Sequence, residues 1–290
     1  MTALLVRRVI RLLVVCLGVS LVTFSILHAS GDPVSLVMPE APEADRVVLR
    51  QALGLDDPLA IQFLRFFGNV ATGNFGNSFF HRTPALSLVL ERMPTTLTLT
   101  MLAMAFRRNS LVDHLATVAV FLGQSMPVFW TGIMLILLFA VQWRLLPVSG
   151  WESWSAVVLP AITLGTFSAP LLLRIVRSSM LEVVNLDYVR TARAKGVSEW
   201  MVILRHALKN AALPLVTVAG LQFGLLLGGA VITESVFAVP GVGRLIVSSI
   251  RQLDFPVVQA AVFFLAMIIV GVNFVVDMLY IYLNPQIRVR

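Results

Sequence analysis

The chain has 290 residues, of which 58% are hydrophobic and only 13% are charged. A soluble domain carries about a quarter charged residues, so this composition excludes one and indicates an integral membrane protein. Apolar stretches near 20 residues favour spanning helices over a barrel, whose strands alternate and are about 10 residues long. The net charge of +7 is explained more economically by basic cytoplasmic loops than by nucleic acid. With one cysteine and four scattered histidines, we expect no disulfide, metal site or other cofactor.

The first apolar run follows three arginines, Arg7, Arg8 and Arg11. Val9–His28 is long enough to span a hydrocarbon core of about 30 Å at about 1.5 Å per residue. A secretory signal peptide is the alternative, but the run is long and no small-x-small cleavage site closes it convincingly. We therefore predict a retained helix in residues 1–28, with the N-terminus in the cytoplasm.

Residues 29–94 are rich in proline and acidic side chains. We predict an external segment of turns and short interfacial helices, one of them with a Phe-rich face over Leu59–Val70. The apolar run that follows, Thr95–Phe106, is only about half the length of a membrane span. Starting that helix at Leu86 would include Glu91, Arg92 and Pro94, and burying each charge costs about 2.5–3.5 kcal/mol. The sequence favours an abnormally short or tilted second helix, with local bilayer thinning or shielding by neighbours.

Four further apolar runs complete an all-α membrane core over residues 95–283. They are Leu115–Val141, kinked at Pro127, then Val157–Leu173, Leu213–Ile232 and Val257–Leu283. We thus expect about six spanning helices, an aromatic belt of tryptophans, and a turn-rich external piece over Phe237–Arg244. Residues 284–290 form a cytoplasmic C-terminus. This topology places 14 of the 22 basic residues in cytoplasmic segments, as the positive-inside rule requires. They are Arg7, Arg8, Arg11, Arg107, Arg108, Arg174, Arg177, Arg190, Arg193, Lys195, Arg205, Lys209, Arg288 and Arg290.

The most charged stretch, Asp187–Pro214, lies between the predicted fourth and fifth helices. Gly196 separates two helix-like halves, as a C-cap that tolerates positive φ, and Ser198 can cap the second half. In that half apolar residues recur at three- and four-residue spacing, and Pro214 begins the next apolar run. The pattern predicts a helix–turn–helix outside the bilayer. It is either an amphipathic connector resting on anionic lipid or a docking element for another protein.

A resemblance favours docking. Arg190-Thr191-Ala192, then Gly196, and later Ala212-Leu213-Pro214 match in register the motif Glu-Ala-Ala, three residues, Gly, and an apolar pair before Pro. That motif belongs to the cytoplasmic coupling loop of binding-protein-dependent ABC importers, with Arg here in place of Glu. DYVRTARAKG, the Gly31-Asp32-Pro33 turn, VFAVPGVGRL and VDMLYIYLNPQIR resemble the peptide-permease branch, which serves dipeptides, oligopeptides or glutathione. Nickel importers share this architecture.

The resemblance implies a permease subunit of the bacterial cytoplasmic membrane, with both termini cytoplasmic. Its implied partners are two ATP-binding subunits, a second homologous permease subunit and an external substrate-binding protein. Gly196 would permit the turn, an apolar ridge would enter an ATPase groove, and basic residues would orient it. The ridge consists of Trp200, Ile203 and Leu204, and the other residues implied in coupling are Arg190, Thr191, Ala192, Arg193, Lys195 and Pro214.

No catalytic constellation is recognisable in the sequence. It has no H-E-x-x-H, no G-x-S-x-G and no Walker A motif, so we expect no ATP hydrolysis by this chain. Gln124, Gln222 and Asn273 are candidates for a polar substrate pathway, or make ordinary interhelical hydrogen bonds. Asp277 is the one intramembrane acid expected from the sequence. A self-contained carrier or channel would depend on it, and a short second helix could alternatively mark an inactive variant.

Overall fold

The computed structural model describes residues 2–29, 34, 40, 42–105 and 126–283, and these are almost entirely helical. The helices run in the order α1 (Thr2–Ala29), α2 (Glu43–Leu53), α3 (Leu59–Ala71), α4 (Ala85–Ala105), α5 (Val128–Leu135), π1 (Ile136–Gln142), α6 (Trp154–Val184), α7 (Asp187–Ala194), α8 (Glu199–Met201), π2 (Val202–Ala207), α9 (Leu208–Val236), α10 (Val242–Arg251) and α11 (Phe255–Leu283). In the described ranges the only β-type pairing is an isolated bridge between Asn77 and Pro84. The all-α prediction is confirmed.

Within the described residues, three helical runs have the length and apolar composition needed to cross a membrane: Leu12–Ala29, Glu199–Val236 and Phe255–Tyr280. Three shorter apolar runs accompany them: Leu59–Ala71, Val128–Gln142 and Trp154–Ser168. Gln124, one of the candidate pathway residues, lies outside the described residues, as do the first part of the predicted third helix and the predicted C-terminus over residues 284–290.

Helix α4 is longer than the predicted Thr95–Phe106: it begins at Ala85 and runs for 21 residues through Pro94. It is not one of the three described runs with the length and apolar composition of a membrane span. It includes Glu91 and Arg92, whose side chains are 68% and 40% exposed. Pro94 lacks an N–H, so it removes one helical hydrogen bond without ending the helix.

Pro127 also behaves differently from the prediction. Instead of kinking a continuous helix, it has an extended backbone (φ −59°, ψ 141°) at the N-cap of α5. Proline is well suited to such a start, since its missing N–H would be unsatisfied there in any case.

The chain divides into two compact units. The first comprises Met1–Thr96 and Pro240–Val270. In it α1 packs against α3 through aromatic rings, with the Phe24 and Phe63 centroids 5.4 Å apart. The buried Asp254 carboxylate, just before α11, accepts hydrogen bonds from the Ser78 hydroxyl and the Phe79 N–H. These bonds join segments that are 176 and 175 residues apart.

The second unit comprises Leu97–Val239 and Gly271–Arg290. Its core lies where α6 packs along α9, and Leu99, Ala103, Ala161, Leu164, Leu226 and Ala230 are its buried members. Gly165 allows a close approach, because a Cβ there would lie 2.9 Å from the carbonyl oxygen of Ala103. Substitution at Gly165 would therefore force the backbone apart.

Candidate functional site

The candidate site is the segment Asp187–Pro214, called here the basic helical pair. Its turn is a Schellman motif: the N–H of Gly196 donates to the Arg193 carbonyl over 2.9 Å, and that of Val197 donates to the Ala192 carbonyl over 3.3 Å. Gly196 has φ 77°, a conformation that an L-residue adopts only at a cost. Glycine at this position was the residue the sequence predicted for the turn.

The two halves of the basic helical pair share a small core. Val189 and Ala192 of α7 pack against Val202 of π2, with Val197 partly buried beside them. Val189 and Val202 are completely buried. The turn and this core fix α7 against π2, so the pair is a folded element.

The second half differs from its prediction. Ser198 occupies the N-cap position of α8, but its side chain makes no capping hydrogen bond. The following helix does not stop before Pro214: it continues from Glu199 to Val236 through α8, π2 and α9. Pro214 lies inside α9, because a proline in an apolar helix removes only one backbone bond when neighbouring helices support it. The pair is thus continuous with a candidate spanning helix.

A forked ion pair spans the turn. Arg193 donates through Nε and Nη2 to the two carboxylate oxygens of Glu199, over 3.0 and 2.7 Å. Hydrogen bonding to Arg193 is the main cause of the lowered pKa of Glu199. The same hydrogen bonding is the main cause of the raised pKa of Arg193. A third nitrogen of Arg193, Nη1, lies 3.4 Å from the Val184 carbonyl at the end of α6. One guanidinium therefore connects α6, α7 and α8.

A second link runs through Tyr188. Its hydroxyl donates to the carbonyl of His206 in π2 over 3.3 Å and accepts from Asn210 Nδ2 of α9 over 2.7 Å. The hydroxyl thus bonds to residues 18 and 22 positions further along the chain. Nothing in the local sequence pattern predicted this link.

The outer surface of the pair carries an apolar ridge. Trp200 is 71% exposed and Leu204 is 44% exposed, whereas Ile203 is half-buried. Met201, beside them, is 50% exposed. The pair also carries exposed basic residues: Arg190, Lys195, Arg205 and Lys209. Thr191 is exposed and bonds to the Asp187 carbonyl within α7. Exposed aromatic and arginine side chains are common at protein interfaces, and aromatic and basic side chains together also occur on helices that rest on lipid.

The polar pathway candidates differ in their burial in the described structure. Gln222 is buried in α9, Asn273 is exposed on α11, and Gln124 lies outside the described residues. Asp277 is half-buried. The structure adds a second acid, Glu234, which is completely buried because α9 extends beyond the predicted end at Ile232. An acid two residues past an apolar run was the signal that could have identified it.

Comparison with known proteins covers almost the whole chain. The family described as "Binding-protein-dependent transport system inner membrane component" matches residues 97–289, and its N-terminal companion matches residues 1–100. The glutathione transport system permease protein GsiC of Salmonella paratyphi A is 41% identical over 98% of both chains. GsiC of Escherichia coli K12 is 40% identical over the same shares. A solved amino acid ABC transporter aligns with TM-score 0.46 and 16% identity over 66% of this chain and 92% of its own, a similarity too low to carry an argument. The chain belongs to the inner membrane components of binding-protein-dependent transport systems.

Proposed function

We propose that this chain is a permease subunit of an ATP-driven importer for glutathione-like or other short peptides. The single observation that carries the substrate class is 41% identity, over 98% of both chains, to a permease named for glutathione transport. Identity spread over the whole length supports a common architecture as well as a common substrate class. Nickel is the alternative cargo that the family resemblance allows.

The basic helical pair is the proposed receiver of ATP-driven motion. Its ridge of Trp200 and Leu204 would enter a groove on an ATP-binding subunit, and the basic residues of the pair would orient it. The Arg193 and Tyr188 links would then move α6 and α9 with α7 as one body. ATP hydrolysis is assigned to the partner, since the sequence has no phosphate-binding motif.

The finer assembly follows from the family. We assign two ATP-binding subunits, a second permease subunit and an external binding protein as partners. Six spanning helices with both termini in the cytoplasm fit the distribution of basic residues best. The basic helical pair then lies on the cytoplasmic side, where the ATP-binding subunits are.

The experiment is reconstitution in proteoliposomes with candidate ATP-binding subunits, binding protein and glutathione or a dipeptide. Substrate-stimulated ATP hydrolysis and uptake are expected. Trp200→Ala should lower both by about tenfold, as loss of an interface hot spot does, while the chain still inserts. Trp154→Ala is the matched control, because Trp154 is also strongly exposed, at 81%, and lies outside the pair.

Two results would contradict the proposal. Uptake that proceeds without nucleotide and is abolished by Asp277→Asn would establish a self-contained carrier. Equal activity of Trp200→Ala and Trp154→Ala would remove the docking role of the ridge. Assembly without stimulated hydrolysis would indicate the inactive variant.

A further inference from the structure

The first compact unit contains a cavity of about 200 Å³. It lies among the last turn of the candidate span in α1, the first turn of α11, and α3. If both candidate spans cross the membrane, the end of one and the start of the other place the cavity at the depth of a membrane–water interface. This location is distinct from the basic helical pair.

Most of the cavity wall is apolar. The aromatic and aliphatic side chains that line it are Phe24, Leu27, Leu55, Phe66, Phe79 and Phe255. The C-terminal part of α1 also has exposed apolar side chains, with Leu21 51% and Ile26 59% exposed. An apolar chain entering the cavity would therefore continue along an apolar helix face.

One buried polar group in the wall has no partner. Gln259 is only 8% exposed, and its amide Nε2 makes no hydrogen bond within the described part of the chain. A buried donor without an acceptor is unfavourable, so a bound acceptor at this point would stabilise the arrangement. Ester and phosphate oxygens are such acceptors.

One cationic side chain lines the cavity. Arg65 lines it with a half-exposed side chain, and its Nη2 donates to Asp57 over 2.8 Å. Gly54, at φ 66°, makes room for the guanidinium, since a Cβ there would collide with it. Asn69 adds an exposed amide. His28 is already engaged, with Nδ1 3.0 Å from the Phe24 carbonyl and Nε2 3.0 Å from Gln62 Oε1.

We propose that this cavity binds an anionic phospholipid. The glycerol-ester region would accept from Gln259, the phosphate would face Arg65 and Asn69, and the start of an acyl chain would pack on the aromatic wall. A water-soluble peptide is less suited, because most of the wall is apolar and the polar side chains His28 and Gln62 in it are already hydrogen-bonded. The proposal does not rest on the transport function, and its test needs no ATP-binding subunit.

The test is native mass spectrometry of the full-length chain with phosphatidylglycerol or phosphatidylcholine. Arg65→Gln should lower retention of phosphatidylglycerol by about fivefold, the effect of one basic residue near an anionic head group, and spare phosphatidylcholine. Gln259→Leu should lower retention of both lipids. Arg50→Gln, which removes a comparable pair with Asp56 on a helix that does not line the cavity, should change neither.

A second measurement does not depend on variants that disturb the cavity. Benzoylphenylalanine at Phe79, which lines the cavity, should crosslink to phosphatidylglycerol on irradiation, and the same group at the exposed neighbour Phe80 should not. Equal crosslinking at both positions, or retention unchanged in both Arg65→Gln and Gln259→Leu, would overturn the proposal. Displacement of the lipid by inorganic phosphate alone would show a simple anion site, and displacement by glutathione a peptide site. Either would also overturn it.

Discussion

At the scale of single residues, Gly196 has a defined structural task. Its φ of 77° closes the Schellman turn, and no atom lies within 4 Å of where a Cβ would be. A substitution is thus penalised by backbone strain and not by crowding.

Gly196→Ala should destabilise the turn by about 1–2 kcal/mol, whereas Gly196→Asn should cost less because Asn tolerates the left-handed region. Hydrogen exchange of the Gly196 and Val197 amides measures the difference. Gly150→Ala is the control, since it changes a positive-φ glycine with equally open surroundings outside the pair. Equal exchange in Ala and Asn variants would contradict the assignment of strain.

The ion pair between Arg193 and Glu199 predicts a pH dependence. The pKa of Glu199 is lowered from its ordinary value of about 4.3, chiefly by the hydrogen bond to Arg193. The contribution to stability is therefore present above that ordinary value and is lost as pH falls through the lowered one. Protection of the turn amides, corrected for intrinsic exchange, should be constant from neutral pH to about pH 5 and fall below about pH 4.

Glu199→Gln should show the reduced protection already at neutral pH. Asp187→Asn removes the weaker pair with Arg190, in which the Asp187 side chain is 97% exposed, and should have little effect. If the turn amides of the unsubstituted chain stay equally protected down to pH 3, the ion pair between Arg193 and Glu199 does not stabilise the turn.

At the scale of elements, Tyr188 joins α7 to π2 and α9 through one hydroxyl. Tyr188→Phe keeps the ring and removes both bonds, at a net cost of about 1 kcal/mol. We expect ATP hydrolysis to continue while uptake per ATP falls severalfold. Tyr282→Phe, at an exposed tyrosine near the end of α11, is the control. An unchanged ratio of uptake to hydrolysis would exclude the coupling role of Tyr188.

Elements also show which parts of the fold could be predicted. Gly196 was predictable because a turn glycine acts through local backbone geometry alone. Pro94 and Pro214 were misjudged as helix boundaries, since a rule learned from isolated helices is overridden by packing in an apolar protein. The predicted turn-rich piece Phe237–Arg244 includes the first three residues of α10, because Pro240-Gly241 indicates a turn there, and the rest of this helix was not predicted although Val242, Leu245, Ile246 and Ser249 have helical spacing.

Long-range contacts were beyond the reach of sequence reasoning. The Asp254 bonds to Ser78 and Phe79, and the Tyr188 bond to Asn210, depend on tertiary folding that no local pattern encodes. The family resemblance indicated the basic helical pair, but the hydrogen bonds within it depend on the tertiary fold.

At the scale of the whole molecule, the proposed topology is open to a direct test. Cys16 is the single cysteine, so Cys16→Ser gives a background for single-cysteine variants. A membrane-impermeant maleimide applied to intact cells should label Trp154→Cys and not Lys195→Cys, both of which are exposed positions. Permeabilised cells, in which both should react, are the control. Labelling of Lys195→Cys from outside would invert the topology.

The uninterrupted run Glu199–Val236 has a mechanical consequence. Its 38 residues, at about 1.5 Å each, form a rod of about 57 Å, nearly twice the thickness of a hydrocarbon core. In the proposed topology, the Trp200 end of this rod projects from the bilayer on the cytoplasmic side. Its compliance is concentrated at π2 and Pro214, where the backbone hydrogen bonds are irregular. The stiffness of the helix at π2 and at Pro214 therefore determines how much of a displacement at Trp200 is transmitted to Val236.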